Sequence, residues 1–237
     1  MQTYLMSTII TFIHYLCYIG TLAVLLLLIH RFFHFPKEVF RKLLHIAAFT
    51  SSIYLVLFGE GWLQDSLTLV LFAIVVYPLL SFAEKWSGYR NLFVEKKRGE
   101  IKTSLWKLFI TQAVLLAFSC GFLKKPYMLI AATSSWGLGD IAAAWIGRPF
   151  GRHKANVWFA DRNKSWEGTS AMALVSFISC FSAMYIFTDK PFLTLFATSF
   201  ITSIVSALSE LASKDGNDTV ITPVSNTLAL WLCSLFL

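Results

Sequence analysis

Apolar runs of the length an α-helix needs to cross a bilayer, about 20 residues, follow one another almost from end to end of this 237-residue chain. Spans are expected near residues 7–29, 43–59, 66–83, 105–122, 126–146, 169–187, 191–212 and 219–237. In lipid each backbone N–H and C=O must be paired within its own segment, so the pattern predicts an all-α polytopic membrane protein of about eight transmembrane helices in one bundle. Only 14% of residues are charged, against ~25% in soluble domains, which excludes an ordinary soluble fold. No linker, low-complexity stretch or internal repeat interrupts the series, and residues 1–237 read as a single membrane-embedded domain. Residues 7–29 lack the basic start and small-residue cleavage site of a signal peptide and are expected to stay. Cys17, Cys120, Cys180 and Cys233 sit singly inside apolar runs, a spacing that suggests neither a disulfide framework nor a zinc site.

Charge then sets the orientation. Of the 20 Lys and Arg residues, 17 fall in or beside the odd-numbered loops, and only Lys124, Lys125 and Lys190 lie on the other side. Basic residues are retained on the cytoplasmic face, so the odd loops should be cytosolic and both chain ends should face away. The net charge of +7 requires no nucleic acid, because these cations lie where anionic headgroups attract them.

Ionisable groups inside a span are costly and point to function by default. Asp140 lies two turns, on the order of 10 Å, inside the cytosolic end of the fifth span, with no cation four residues away. Glu210 ends the seventh span, where Lys214 is available at the i,i+4 spacing, and both a structural and a functional role stand open. Around Asp140, Ala131, Ser135, Gly139, Ala143 and Gly147 form a small-residue stripe that admits another helix backbone, which places this span at the centre of the bundle. Packing explains the stripe but not the acid beside it.

Next comes Gly147-Arg148-Pro149-Phe150-Gly151-Arg152-His153-Lys154, where Pro149 stops the helix and two glycines let the backbone approach a ligand. Cations and backbone donors together suit a polyphosphate, although a basic loop at a membrane edge also serves as an anchor. It is no Walker loop, since no Gly-Lys-Ser or Gly-Lys-Thr closes it. Lys164-Ser165-Trp166-Glu167-Gly168-Thr169 opens the sixth span, with Ser165 or Thr169 as cap and an N-terminus that attracts anions. In the first loop Arg41 and His45 share a helical face beside Lys42. In the seventh, Asp215 and Asp218 are carboxylates able to hold a divalent ion, ahead of Pro223. Amphipathic anchoring and solvated turns are the simpler accounts of these last two. Asp140, Gly147, Lys164, Glu210, Asp218, Arg41, Lys42 and His45 nevertheless all fall at cytosolic ends. Setting aside the six basic residues among these motifs leaves the charge count at 11 against 3, so the sidedness does not depend on them.

These motifs, in order, resemble the dolichol kinase and phytol kinase family, which also includes a CTP-dependent diacylglycerol kinase. The matching segments are Glu38-x-x-Arg41-Lys42-x-x-His45; Gly139-Asp140 through Gly147 to Gly151-Arg152; Lys164-Ser165-Trp166-Glu167-Gly168; and Glu210 with Asp218 to Pro223. They cover residues 38–224, and the second and third are the most specific. The resemblance implies transfer of the terminal phosphate of CTP to a membrane-dissolved alcohol (polyprenol, dolichol, phytol or diacylglycerol) with a divalent cation, Mg2+ being the expected ion. Family functional residues map onto Arg41, Lys42, Asp140 and Gly147. Asp140, Asp218 and Glu210 are then the metal candidates, with Asp140 or Asp218 taking the hydroxyl proton. Arg41, Lys42, Arg152 and Lys164 would neutralise phosphates; Gly147, Gly151, Lys154, Glu167 and His45 complete the nucleotide set. Thr219 departs from the Asp-Asn that the family usually carries ahead of the final Pro. The expected location is an endoplasmic reticulum or bacterial plasma membrane with the site facing the cytosol. Two other readings compete. CDP-diacylglycerol synthase shares similar Gly-Asp and Lys-x-Trp-Glu-Gly segments, but its C-terminal Asp-Arg-x-Asp cluster has no counterpart here. A small ion-coupled transporter would use Asp140 and Glu210 as ion sites, yet carriers place these near the midplane.

Overall fold

The computed structural model describes residues 2–33, 37–85, 99–161, 164–214 and 216–236, and gives the backbone alone for residues 2, 3, 37–41 and 100. Among these residues eight α-helices follow in order: α1 Gln2–Phe33, α2 Lys37–Phe58, α3 Trp62–Ala83, α4 Glu100–Leu116, α5 Pro126–Phe150, α6 Trp166–Phe187, α7 Phe192–Ala212 and α8 Asp218–Phe236. A π-helical turn, Ala117–Phe122, prolongs α4. Seven of these segments are long and apolar enough to span a membrane, and the apolar part of α2, Lys42–Phe58, is a shorter eighth. Each expected span finds its helix, several of them longer at the ends because polar residues extend a helix into the headgroup region. No strand occurs among the described residues; one antiparallel bridge joins Lys154 to Ser165.

The helices form two compact units, residues 1–122 and 123–237. In the first, α3 packs on α4 and α1, and α1 on α2. An aromatic chain runs through it: Tyr15 meets Phe72 edge-on at 5.2 Å and Phe72 meets Phe109 at 4.8 Å. The Tyr15 hydroxyl shares a hydrogen bond of 2.8 Å with Ser51 Oγ, so the one polar atom of that buried ring is satisfied.

The second unit is built around α5, the most enclosed of the spans. Its small-residue stripe admits another helix, as the sequence predicts, and at Gly139 and Gly147 that helix is α6. A Cβ on Gly168 would stand 3.1 Å from the Gly147 Cα and 3.0 Å from the Ala143 carbonyl oxygen. The two backbones touch there, which brings the C-terminal turn of α5 onto the N-terminal turn of α6. Gly168→Ala should therefore destabilise the protein by about 1–3 kcal/mol through overpacking, read as a lower Tm in detergent. Gly20→Ala on α1, where a Cβ meets nothing within 4 Å, should not.

A polar seam joins the four helices of this unit. Ser176 Oγ donates to the Ser135 carbonyl at 2.8 Å and lies 3.2 Å from Ser206 Oγ. Asn226 Nδ2 donates to Ser206 Oγ at 3.2 Å and to the Ala132 carbonyl at 3.4 Å. In lipid, where apolar contact gives helices little reason to associate, such interhelical hydrogen bonds and small-residue contacts hold a bundle.

Candidate active site

The loop residues 151–161 and 164–165 pack against the end of α7. Ala155 and Ala160 are buried against Leu211 near the end of α7, with Val157 and Phe159 packed around them. The Asp161 N–H donates to the Leu211 carbonyl at 3.1 Å. Ala155 N–H to Lys164 carbonyl and Trp166 N–H to His153 carbonyl, each 3.0 Å, fold the loop back on itself. This apolar footing delivers Lys164 to the end of α7.

There Lys164 Nζ meets the Glu210 carboxylate at 2.9 Å and also donates to the Glu210 backbone carbonyl. The side chains are 19% and 9% exposed, so this is an ion pair largely withdrawn from water. The sequence offers Lys214 as the neighbour of Glu210, but α7 ends at Ala212 with Ser213 as its cap. Lys214 lies past the helical register and is exposed, and the acid takes the lysine 46 residues earlier instead.

Asp140 is buried on α5, 8% exposed. Its negative charge and that of Asp218 both bear on Glu210, so three carboxylates from α5, α7 and α8 share an electrostatic neighbourhood with Lys164. Asp218 is the first residue of α8 and accepts the Thr219 N–H at 3.0 Å. Before it the chain turns at Gly216, whose φ of +74° is left-handed and favours glycine.

Ser165 caps α6, its Oγ accepting the Gly168 N–H at 3.3 Å. Gly151 is required for space: a Cβ there would run into the Gly147 carbonyl and Ser165 Oγ. Glu167 points back at the loop, its Oε1 accepting the Arg152 and His153 N–H groups at 3.2 and 3.1 Å and contacting His153 Nδ1 at 2.7 Å. Those two backbone donors are thus engaged by the protein's own carboxylate, which fastens the loop to the first turn of α6. Arg152 and Lys154 are exposed, Lys154 at the bridge to Ser165.

Among the described residues no three His, Cys, Asp or Glu side chains close into a metal cage. A phosphate-bound Mg2+ takes one or two carboxylates and fills its octahedron with phosphate oxygens and water, and the carboxylates of Asp140, Glu210 and Asp218 are hard oxygen donors of the right kind.

Lys42 and His45 belong to α2 in the first unit, Lys42 buried at 8% exposure; the Arg41 side chain and Asp215 lie outside the described residues. Sequence reasoning passed over Asp65, on the first turns of α3. The residue is 4% exposed, and its Oδ1 is buried without a hydrogen-bond partner. Gly59 has no room for a Cβ beside it. The signal was an acid three residues into an apolar helix; the span was expected to begin one residue later.

Compared with known proteins, the chain is similar to a phytol kinase of Synechocystis sp., 28% identical over 222 residues that make up 90% of this chain and 87% of that protein. No protein-family model matches the chain. No solved structure matches it either.

Proposed function

We propose that this chain, whose likeness to a phytol kinase supports membership of the phytol and polyprenol kinase family, is a lipid-alcohol kinase that moves the terminal phosphate of CTP to a membrane-dissolved alcohol at the cytosolic face. The observation that supports it beyond the likeness is the burial of Asp140 in the same electrostatic neighbourhood as Asp218 and the Lys164–Glu210 pair. Phosphoryl transfer asks for positioning and charge neutralisation rather than a covalent nucleophile on the protein, and the inventory is of that kind.

In this reading Asp140, Glu210 and Asp218 would supply the carboxylates for a divalent cation, and Asp140 or Asp218 takes the proton leaving the alcohol. When bound, the ion offsets charge on the phosphates. Lys164 is fixed by Glu210 and the loop's small core, so its ammonium meets the phosphates without reorganising. Arg152 and Lys154, exposed on the same loop, draw the nucleotide in from the cytosol. Gly147 and Gly151 keep the α5 turn and the α6 cap close enough for a phosphate to sit against the capped N-terminus of α6. Arg41, Lys42 and His45 carry roles here on the family resemblance alone.

The substrate pair is read by incubating the purified protein in lipid nanodiscs with phytol, polyprenol or diacylglycerol and γ-labelled CTP or ATP. Label is expected in the lipid extract of one alcohol, with CTP preferred and with transfer abolished by a chelator. Label that never leaves the aqueous phase with any pair removes the kinase reading.

A further inference from the structure

The most exposed large apolar side chain among the described residues is Trp158, at 94%. It stands in a turn of the loop that leads to Lys164, closed by the Ala160 N–H on the Val157 carbonyl at 3.0 Å. Phe159 meets its ring edge-on at 5.5 Å. Val157 and Phe159, the neighbours on either side, pack toward the small core beneath, so the turn seats them and presents the indole outward.

What lies outside it follows from the depth of the loop. α7 has 21 residues, roughly 31 Å if upright, which matches the ~30 Å of a hydrocarbon core. Leu211 and Ala212, its last residues, therefore lie at the edge of the hydrocarbon. The loop is tied to that edge on both sides of Trp158. Ala155 and Ala160 are buried against Leu211, and the Asp161 N–H donates to the Leu211 carbonyl. Earlier in the loop the His153 carbonyl accepts the N–H of Trp166, the first residue of α6. Two residues of chain reach at most roughly 7 Å, so the Trp158 backbone stays within that distance of Ala160. The headgroup layer is about 5–7 Å deep on each side of the core, and the indole is thereby held at its level. An indole suits that layer, with an apolar ring for the acyl boundary and one N–H for headgroup oxygens. A nucleobase would ask for a concave site, whereas a ring so exposed, with one ring edge beside it, offers only a bare face.

We propose that Trp158 is an interfacial anchor: its indole lies among the lipid headgroups and holds the loop that carries Lys164 to the membrane surface. The partner is the bilayer itself, and the assignment stands on the membrane-spanning fold, independent of the kinase reading.

The test uses the full chain in nanodiscs with fluorotryptophan in place of tryptophan. The fluorine line that disappears in Trp158→Phe, and equally in Trp158→Tyr, belongs to this residue. That line is expected to broaden more with a nitroxide on the lipid headgroup than with a soluble gadolinium chelate, and to stay in place as CTP is added. Broadening led by the chelate puts the indole in bulk water, and a saturable shift with CTP makes it a nucleotide contact; either overturns the proposal. The holding action is read by hydrogen exchange at the Ala155 and Asp161 amides. Trp158→Ser should speed that exchange severalfold in nanodiscs, while Trp158→Tyr, which keeps an interfacial ring, should leave it slow. At 94% exposure the indole gives the loop little protein contact to lose, so a change of this kind reports the bilayer. Exchange unchanged in a folded Trp158→Ser protein contradicts the anchoring.

Discussion

Asp140→Asn is expected to lower phosphate transfer by about a hundredfold or more, the usual effect of removing a positioned electrostatic group, and to leave the protein folded. Asn keeps the shape and one acceptor oxygen of the carboxylate, and exchanges the charge and the second oxygen for an NH2 donor. Asp140 is buried at 8% exposure, and its charge and that of Asp218 both bear on Glu210, so the substitution takes one negative charge out of a crowded site. The protein should stay folded while the rate falls, a split that a structural acid would not give. Initial rates of label transfer together with a thermal melt in detergent read both quantities. A folded Asp140→Asn protein with full activity would remove this residue from the chemistry.

The second large effect concerns the pair that joins loop to helix. Lys164→Met leaves the Glu210 carboxylate with its cation gone and two further acids bearing on it, in a site where Glu210 is 9% exposed. Losing one partner of a buried pair costs about 3–5 kcal/mol, and the lower figure suits a lysine that retains 19% exposure. The double variant Lys164→Met with Glu210→Gln removes both charges and should recover most of that stability, since replacing a whole buried pair is often close to neutral. Transfer should stay lost in the double variant, because the ammonium that meets the phosphates is still missing. Equilibrium unfolding of the two single variants and the double closes a mutant cycle. Recovery of activity along with stability would reduce Lys164 to a structural role.

How much of this was legible in the chain follows from what each feature depends on. Helix number and order come from run length, a local property, and all eight expected spans meet a helix. Close approach of another helix to α5 was readable as a four-residue stripe of small side chains, and the α6 cap as Ser165 or Thr169 ahead of an apolar run. Asp140 stood out because an acid in an apolar helix has no cheap local explanation. Pairings between distant residues were not legible. The i,i+4 rule offers Lys214 to Glu210 only while the helix continues, and α7 stops two residues short. Glu167 suggests a helix-dipole acid or a nucleotide contact from its position alone, yet it takes backbone donors 14 and 15 residues back. The seam of Ser135, Ser176, Ser206 and Asn226 is scattered over four helices as ordinary polar residues, and only their packing makes it one network. The apolar groove beside Ala48, Phe72 and Phe109 in the first unit has no sequence signature, because it is lined by the same kinds of side chain that elsewhere lie on exposed helix faces.

The most direct measurement follows the two ends of the triphosphate separately. The protein in nanodiscs with a divalent cation and its alcohol is given CTP labelled at either the α or the γ phosphorus. The account predicts γ label in the lipid and α label retained in soluble CDP. Lipid carrying the α label, with the γ label released as pyrophosphate, would show a cytidylyltransferase and contradict it.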